Sequence, residues 1–116
     1  MDEDPGLRCD GWLVQGATVL ASACVAATRS ERRRGLLGRD RIDGVLVLPV
    51  RSVHTFGMRV PIDVAFCDGD GRVLRLATVQ PWRVATSWRA QKVVEAAAGA
   101  FETWGVGPGS VLEVRT

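Results

Sequence analysis

The feature that most constrains this chain is its punctuation. Short apolar runs are repeatedly closed by Gly, Pro or Asp, which leaves little room for long helices and favours strands. Val45 to Leu48 ends at Pro49, and Ile62 to Cys67 runs into Asp68-Gly-Asp-Gly71. Beyond that turn, Val73, Leu74, Leu76 and Val79 surround Arg72 and Arg75. Two apolar runs joined by so tight a turn predict a β-hairpin over 62–79. Val53 to Met58, Lys92 to Ala97 and Val111 to Arg115 read as further strands, with Gly105-Val-Gly-Pro-Gly109 as the turn before the last.

The first half is less regular. Residues 1–10 are acidic, contain Pro and Gly, and read as a loose lead-in to a domain over 11–116. Gly11 to Ala27 reads as two short strands or one bent strand broken at Gly16, although its alanines also tolerate helix. Thr28 and Glu31 have the spacing of a capping box, in which each side chain satisfies the other's backbone N–H. With Leu36 and Leu37 as apolar contacts and Gly38 as a C-terminal stop, they predict a short helix over 29–38. Gly99 to Trp104 suits one helical turn, and Pro81 to Ala90 reads as a loop carrying Trp82 and Trp88. The expected fold is α+β and mainly β: a compact barrel-like or strongly twisted antiparallel or mixed sheet.

Composition sets the outer bounds. A chain of 116 residues with 47% hydrophobic and 24% charged residues suits one globular domain with a real core. A net charge of +2 gives no electrostatic footprint for nucleic acid. Fourteen basic residues are Arg and one, Lys92, is Lys, a bias that base composition of the gene explains more simply than anion binding. Tyr is absent while Trp12, Trp82, Trp88 and Trp104 are present, and rings this large rarely bury completely, so some should lie at the surface or line a groove.

Cys9, Cys24 and Cys67 form no C-x-x-C pair, so neither a zinc knuckle nor a thioredoxin motif is available. Cys24 and Cys67 sit in apolar runs and read as buried small hydrophobes, whereas Cys9 reads as an exposed free thiol. Reduced thiols suit the cytoplasm. The opening Met-Asp-Glu-Asp-Pro has the wrong charge for a signal peptide, and the apolar stretch from Trp12 to Ala27 is too short to span a bilayer. The expectation is a cytoplasmic protein without membrane insertion.

The sequence offers few parts for catalysis. His54 is the only His, and neither Ser52 nor Cys67 stands from it at a nucleophile-family spacing. A single His in a strand is more often a hydrogen-bonded structural residue than a catalyst. Asp68-x-Asp70-Gly resembles a calcium loop only superficially, because the remaining ligands are missing, and it reads as a hairpin turn; no metal or cofactor is expected. The glycines of 105–109 precede a strand and do not follow one, so they are no dinucleotide fingerprint.

Two clusters remain. His54, Thr55, Arg59 and Asp63 alternate with Phe56, Met58, Ile62 and Phe66, which would set polar groups against an apolar wall. Asp63 reads as part-buried, with Arg59 or His54 as its partner, serving either a structural ion pair or a polar-ligand site. In Gln80-Pro-Trp-Arg83, an exposed Trp82 beside Arg83 can stack on a sugar or base or bind an anion; equally, Trp82 can be a lid with Arg83 capping a carboxylate such as Glu95. Glu95 lies within Val93-Val-Glu-Ala-Ala-Ala98, either as a buried acid or, on the simpler reading, pointing outward from an alternating strand.

Taken in order, Thr28-x-Ser-Glu-Arg32-x-x-Gly-Leu-Leu-Gly-Arg39, His54-Thr-Phe-Gly-Met-Arg-x-Pro-Ile-Asp63-Val-x-Phe66, Asp68-x-Asp-Gly-Arg-Val73, Pro81-Trp-Arg83, Val94-Glu-x-x-x-Gly99 and Gly105-Val-x-Pro-Gly109 resemble the family of domain of unknown function 192, over about residues 12–115. The resemblance implies a small prokaryotic domain, largely β with a short helix, and no general activity. Relatives that share His-Thr-Phe-Gly-Met-Arg often lie beside genes for tight-adherence pilus assembly, which implies an accessory role. The common family form has Trp-Met before the Pro-x-Asp where this chain has Gly57-Met58, and Ser110 stands where an Asp is frequent, so neither of those family side chains transfers.

Three functions follow as expectations. The first is a non-catalytic accessory domain that presents His54, Thr55, Arg59, Asp63, Trp82 and Arg83 to a small polar ligand or a protein partner. The second is a small hydrolase-like enzyme using Asp63 or Glu95 as acid or base with help from His54. The third is a purely structural assembly module. Mutual burial of His54, Asp63 and Glu95 would favour the third, and an open pocket near Trp82 the others.

Overall fold

A computed structural model describes residues 7–26 and 44–116. In chain order the elements are β1 (Leu7–Gln15), β2 (Thr18–Ala26), β3 (Val45–Leu48), β4 (Ser52–His54), β5 (Ile62–Cys67), β6 (Val73–Val79), β7 (Val84–Thr86), β8 (Lys92–Ala97), α1 (Ala100–Thr103) and β9 (Glu113–Arg115). Seven strands form one mixed sheet in the order β6-β5-β8-β3-β2-β1-β9, and β4 pairs with β7 in a separate ribbon. The sheet is open, with β6 and β9 at its edges, so the mixed-sheet form of the expectation holds and the barrel does not.

The inner strands are the continuous apolar runs. β3 and β5 are buried along their whole length, because both faces of the sheet are covered. One face carries Leu46, Leu48, Ile62, Val64, Phe66 and Val93, over which the β4–β7 ribbon lays Val53 and Ala85. The other carries Val45, Val47, Ala65, Cys67, Val94 and Ala96, covered by Phe101, Val106 and Leu112. Pairing is antiparallel except between β2 and β3, which run parallel. The chain between them includes 27–43, so the helix expected over 29–38 lies outside the described residues.

The hairpin over 62–79 forms as its sequence requires, with Ile62 opposite Val79 and Asp63 opposite Thr78. Asp68 shapes its turn by accepting the N–H groups of Asp70 at 2.9 Å and Arg72 at 3.0 Å through Oδ1. Gly71 sits at φ 88°, where a Cβ would collide with the carbonyl of Leu112, so this turn demands glycine. The turn expected at Gly16 divides β1 from β2, and α1 falls within the helical turn expected over 99–104.

Four local expectations are corrected. β1 begins at Leu7, inside the segment read as a loose lead-in, because strand pairing with β2 outweighs its polar composition. The strand expected over 53–58 stops at His54, where Thr55 turns away to bind the 80–83 segment. The loop expected over 81–90 contains β7, three residues long and stabilised by β4. Cys9 and Cys24 are joined as a disulfide across β1 and β2, so they are not free thiols, and the reduced-thiol argument for a cytoplasmic location falls with them. Cys67 is free and buried. Among the described residues, no helix is long and apolar enough to cross a membrane.

Candidate functional site

The site is built around Thr55, which is fully buried. Its hydroxyl donates to the Gln80 carbonyl at 2.6 Å and accepts the Arg83 N–H at 3.0 Å. Its own N–H donates to the Arg83 carbonyl at 2.9 Å, while its carbonyl accepts N–H groups from Trp82 at 3.0 Å and Met58 at 3.1 Å. Thr55 therefore spends its polar groups tying the 55–58 turn to the 80–83 turn. It positions the site and offers nothing to a ligand, against the expectation that it binds one.

What it positions is aromatic. Trp82 has φ 63°, the one left-handed non-glycine backbone among the described residues. That conformation costs about 1–2 kcal/mol for a residue with a Cβ, and the Thr55 hydrogen bonds hold it in place. The indole is 63% exposed and the Phe56 ring 46%, so burial does not explain the strain. Phe56 stacks on Trp82 with centroids 6.0 Å apart and on His54 at 4.8 Å. His54 accepts the Phe56 N–H at Nδ1 over 3.4 Å. The result is a ledge of three rings in a row, His54, Phe56 and Trp82. Val84, 59% exposed, is the cross-strand partner of His54 and extends the apolar surface along the ribbon.

Basic residues dominate the segments that carry the ledge. Neither 51–62 nor 72–94 contains Asp or Glu, yet together they supply Arg51, Arg59, Arg72, Arg75, Arg83, Arg89 and Lys92. Arg51, Arg59, Arg83 and Arg89 are exposed. Arg83 donates to the Trp82 carbonyl at 3.2 Å, which ties its guanidinium to the backbone of the same turn. Arg75 serves the fold instead. It lies 5.4 Å over the Phe66 ring and donates to the Thr86 carbonyl at 2.8 Å, fastening the ribbon to the sheet. Trp82 is thus no lid, and Arg83 no cap for Glu95.

The carboxylates go elsewhere. Asp63 is 7% exposed; it accepts the Thr78 hydroxyl at 2.7 Å through Oδ1 and the Gly99 N–H at 2.9 Å through Oδ2. Those partners replace the Arg59 or His54 that the sequence suggested. Glu95 is fully buried and does not point outward, because β8 is an inner strand with both faces covered. Asp63 pairs with Ala96 and Val64 with Glu95, so alternation puts the two carboxylates on opposite faces of the sheet. The two carboxylates therefore share no common site. Beside Asp63, Leu76, Phe101, Val106 and Pro108 wall a cavity of about 410 Å³. Sequence reasoning reads 99–109 only as turns and misses this cavity.

Chemically, the ledge can stack a flat or CH-rich surface and neutralise an anion. Among the described residues, no three His, Cys, Asp or Glu side chains approach closely enough to hold a metal ion.

The sequence matches the model of a known family over most of its length. The model for DUF192, described as uncharacterized ACR, COG1430, matches residues 13–114. The chain belongs to the DUF192 family. A curated relative, UPF0127 protein PH1112 from Pyrococcus horikoshii, is 33% identical over 86 residues, covering 68% of this chain and 75% of that protein. Two crystal structures share the DUF192 chain's fold. A candidate transcription regulator from Sinorhizobium meliloti 1021 aligns with TM-score 0.76 and 22% identity over 92% of this chain and 95% of that one. A protein of unknown function from Novosphingobium aromaticivorans aligns with TM-score 0.73 and 19% identity over 89% and 82%.

Proposed function

We propose that this DUF192 domain is a non-catalytic binding module whose ledge of His54, Phe56, Trp82 and Arg83 takes an anionic ligand with a flat ring or a sugar face. The observation that carries the reading is Trp82: a strained, exposed indole whose backbone a fully buried Thr55 pins in place. Strain held by surrounding structure at an exposed ring is a feature of binding sites, where a preformed surface lowers the ordering cost on association. Arg83 supplies charge, and the rings supply stacking.

A protein partner is the second reading, favoured by Trp88, which is 81% exposed. Trp and Arg are the residues most enriched at interface hot spots. The accessory role beside pilus assembly that the resemblance implies would be a setting for such a partner.

A thermal-shift panel of hexuronic acids, nucleoside monophosphates, aromatic carboxylates and neutral sugars tests the proposal, because binding to the native state raises Tm by mass action. The anionic ring compounds should raise Tm in the parent protein and leave Trp82→Gly and Phe56→Ala unmoved. A flat panel, or equal shifts in the variants, would remove the ledge as the ligand site.

A further inference from the structure

Asp63 is nine-tenths buried, and both of its carboxylate oxygens act as acceptors, from Thr78 and from Gly99. Both donors are neutral, and among the described residues Asp63 makes no ion pair. A carboxylate charge withdrawn from water usually acquires a cation. Here the carboxylate opens onto the cavity of about 410 Å³ walled by Leu76, Phe101, Val106 and Pro108, whose lining contains no Arg or Lys. Glu102, exposed on α1, adds a second carboxylate at the rim.

We propose that this cavity binds a primary ammonium carried on an apolar stem, with the ammonium against Asp63 and the stem between Phe101, Leu76 and Val106. The volume lies within the range of small-molecule sites, and the lining has the usual plan of apolar walls with a few placed polar groups. A carboxylate has lone pairs beyond the two in use, so Asp63 can receive an ammonium without surrendering Thr78 or Gly99. A hard metal ion suits the site poorly, since calcium takes six or more oxygen ligands and the walls are hydrocarbon. The cavity lies on the Phe101 face of the sheet, whereas the aromatic ledge belongs to the ribbon on the other face, so the two sites are independent.

The test is an NMR titration of the ¹⁵N-labelled protein at neutral pH with phenethylamine hydrochloride, alongside phenethyl alcohol and 3-phenylpropionate. Nα-acetyl-lysinamide forms a further arm that separates a lysine side chain from a free amine as the source of the ammonium. Phenethylamine, Nα-acetyl-lysinamide or both should produce saturable shifts at the amides of Thr78, Gly99 and Gly107, and the neutral and anionic analogues should not. Asp63→Asn should weaken the binding about ten- to a hundredfold, the usual worth of a charged hydrogen bond. Glu102→Gln, at an exposed position, should weaken it about two- to fivefold without disturbing the fold. Absence of saturable shifts with either amine, equal binding of the alcohol, or full affinity in both variants would overturn the proposal. Loss of affinity in Glu102→Gln alone, should Asp63→Asn fail to fold, would still support it.

Discussion

The backbone N–H of Trp82 donates to the carbonyl of Thr55 over 3.0 Å, so a fully buried threonine fixes the place of a largely exposed indole. The contact ties two turns 25 or more residues apart in the chain, as the Thr55 to Gln80 bond also does. It brings the segment around His54 and the segment around Trp82 into one surface.

Thr55→Val keeps the shape of the side chain and removes the hydroxyl. The Gln80 carbonyl and Arg83 N–H then lose their partner, and stability should fall by about 1–3 kcal/mol in urea unfolding. An unchanged midpoint would show that the two turns hold together without the Thr55 hydroxyl.

Trp82→Gly separates function from folding. Glycine accepts the left-handed backbone without strain, which offsets the lost stacking on Phe56, so stability should change by no more than about 1 kcal/mol. A loss of several kcal/mol would make the indole a structural residue.

Asp63→Ala strands the Thr78 hydroxyl and the Gly99 N–H. Two hydrogen bonds to a charged acceptor, removed from a buried position, should cost about 2–4 kcal/mol. A cost below about half a kcal/mol, of the size expected at an ordinary surface position, would contradict the buried arrangement.

The Cys9–Cys24 disulfide spans a sequence separation of 15, for which cross-linking the unfolded chain is worth about 3 kcal/mol. Cys9→Ser should lower stability by that order, and dithiothreitol should lower Tm in the parent but not in the variant. Equal melting with and without reductant would show that the bridge contributes nothing.

Burial pushes the Cys67 thiol up from 9.0 to about 11, with Lys92 pulling it down and Asp68 adding to the rise. The unfolded thiol ionises first, so the folded state binds more protons between these values. Its contribution to stability is complete below about pH 9 and is lost as pH rises to about 11. Cys67→Ala should flatten that part of the pH–stability curve, and the native thiol should resist Ellman's reagent at pH 8. Rapid labelling of the folded protein would contradict its burial.

The hairpin over 62–79 is legible in the sequence because its apolar runs, its turn residues and its pairing are all local. β7 is not, since three residues carry no periodic signal and form a strand only beside the distant β4. The disulfide is hidden for a similar reason: nothing at Cys9 announces that it faces Cys24 until the register of β1 on β2 is known. The same dependence on register explains the carboxylates. Asp63 reads as part-buried and Glu95 more simply as outward-pointing, and only the pairing of β5 with β8 reveals that both are buried, on opposite faces. Trp82 and Arg83 stand out because an adjacent Trp and Arg in a Pro-led turn is a local signal. Phe56 reads only as apolar wall, and its stacking between His54 and Trp82 is a product of the tertiary fold.

The most direct test follows the tryptophan indole N–H signals by NMR while the ¹⁵N-labelled protein is titrated with glucuronate and, separately, with adenosine 5′-monophosphate. The signal missing from Trp82→Gly identifies Trp82. A ligand-binding ledge predicts that this signal moves saturably with at least one of the two anions, while that of Trp104, edge-on to Phe101 on the other side of the sheet, stays still. A Trp82 signal that ignores both anions, or that moves only together with every other indole, would contradict it.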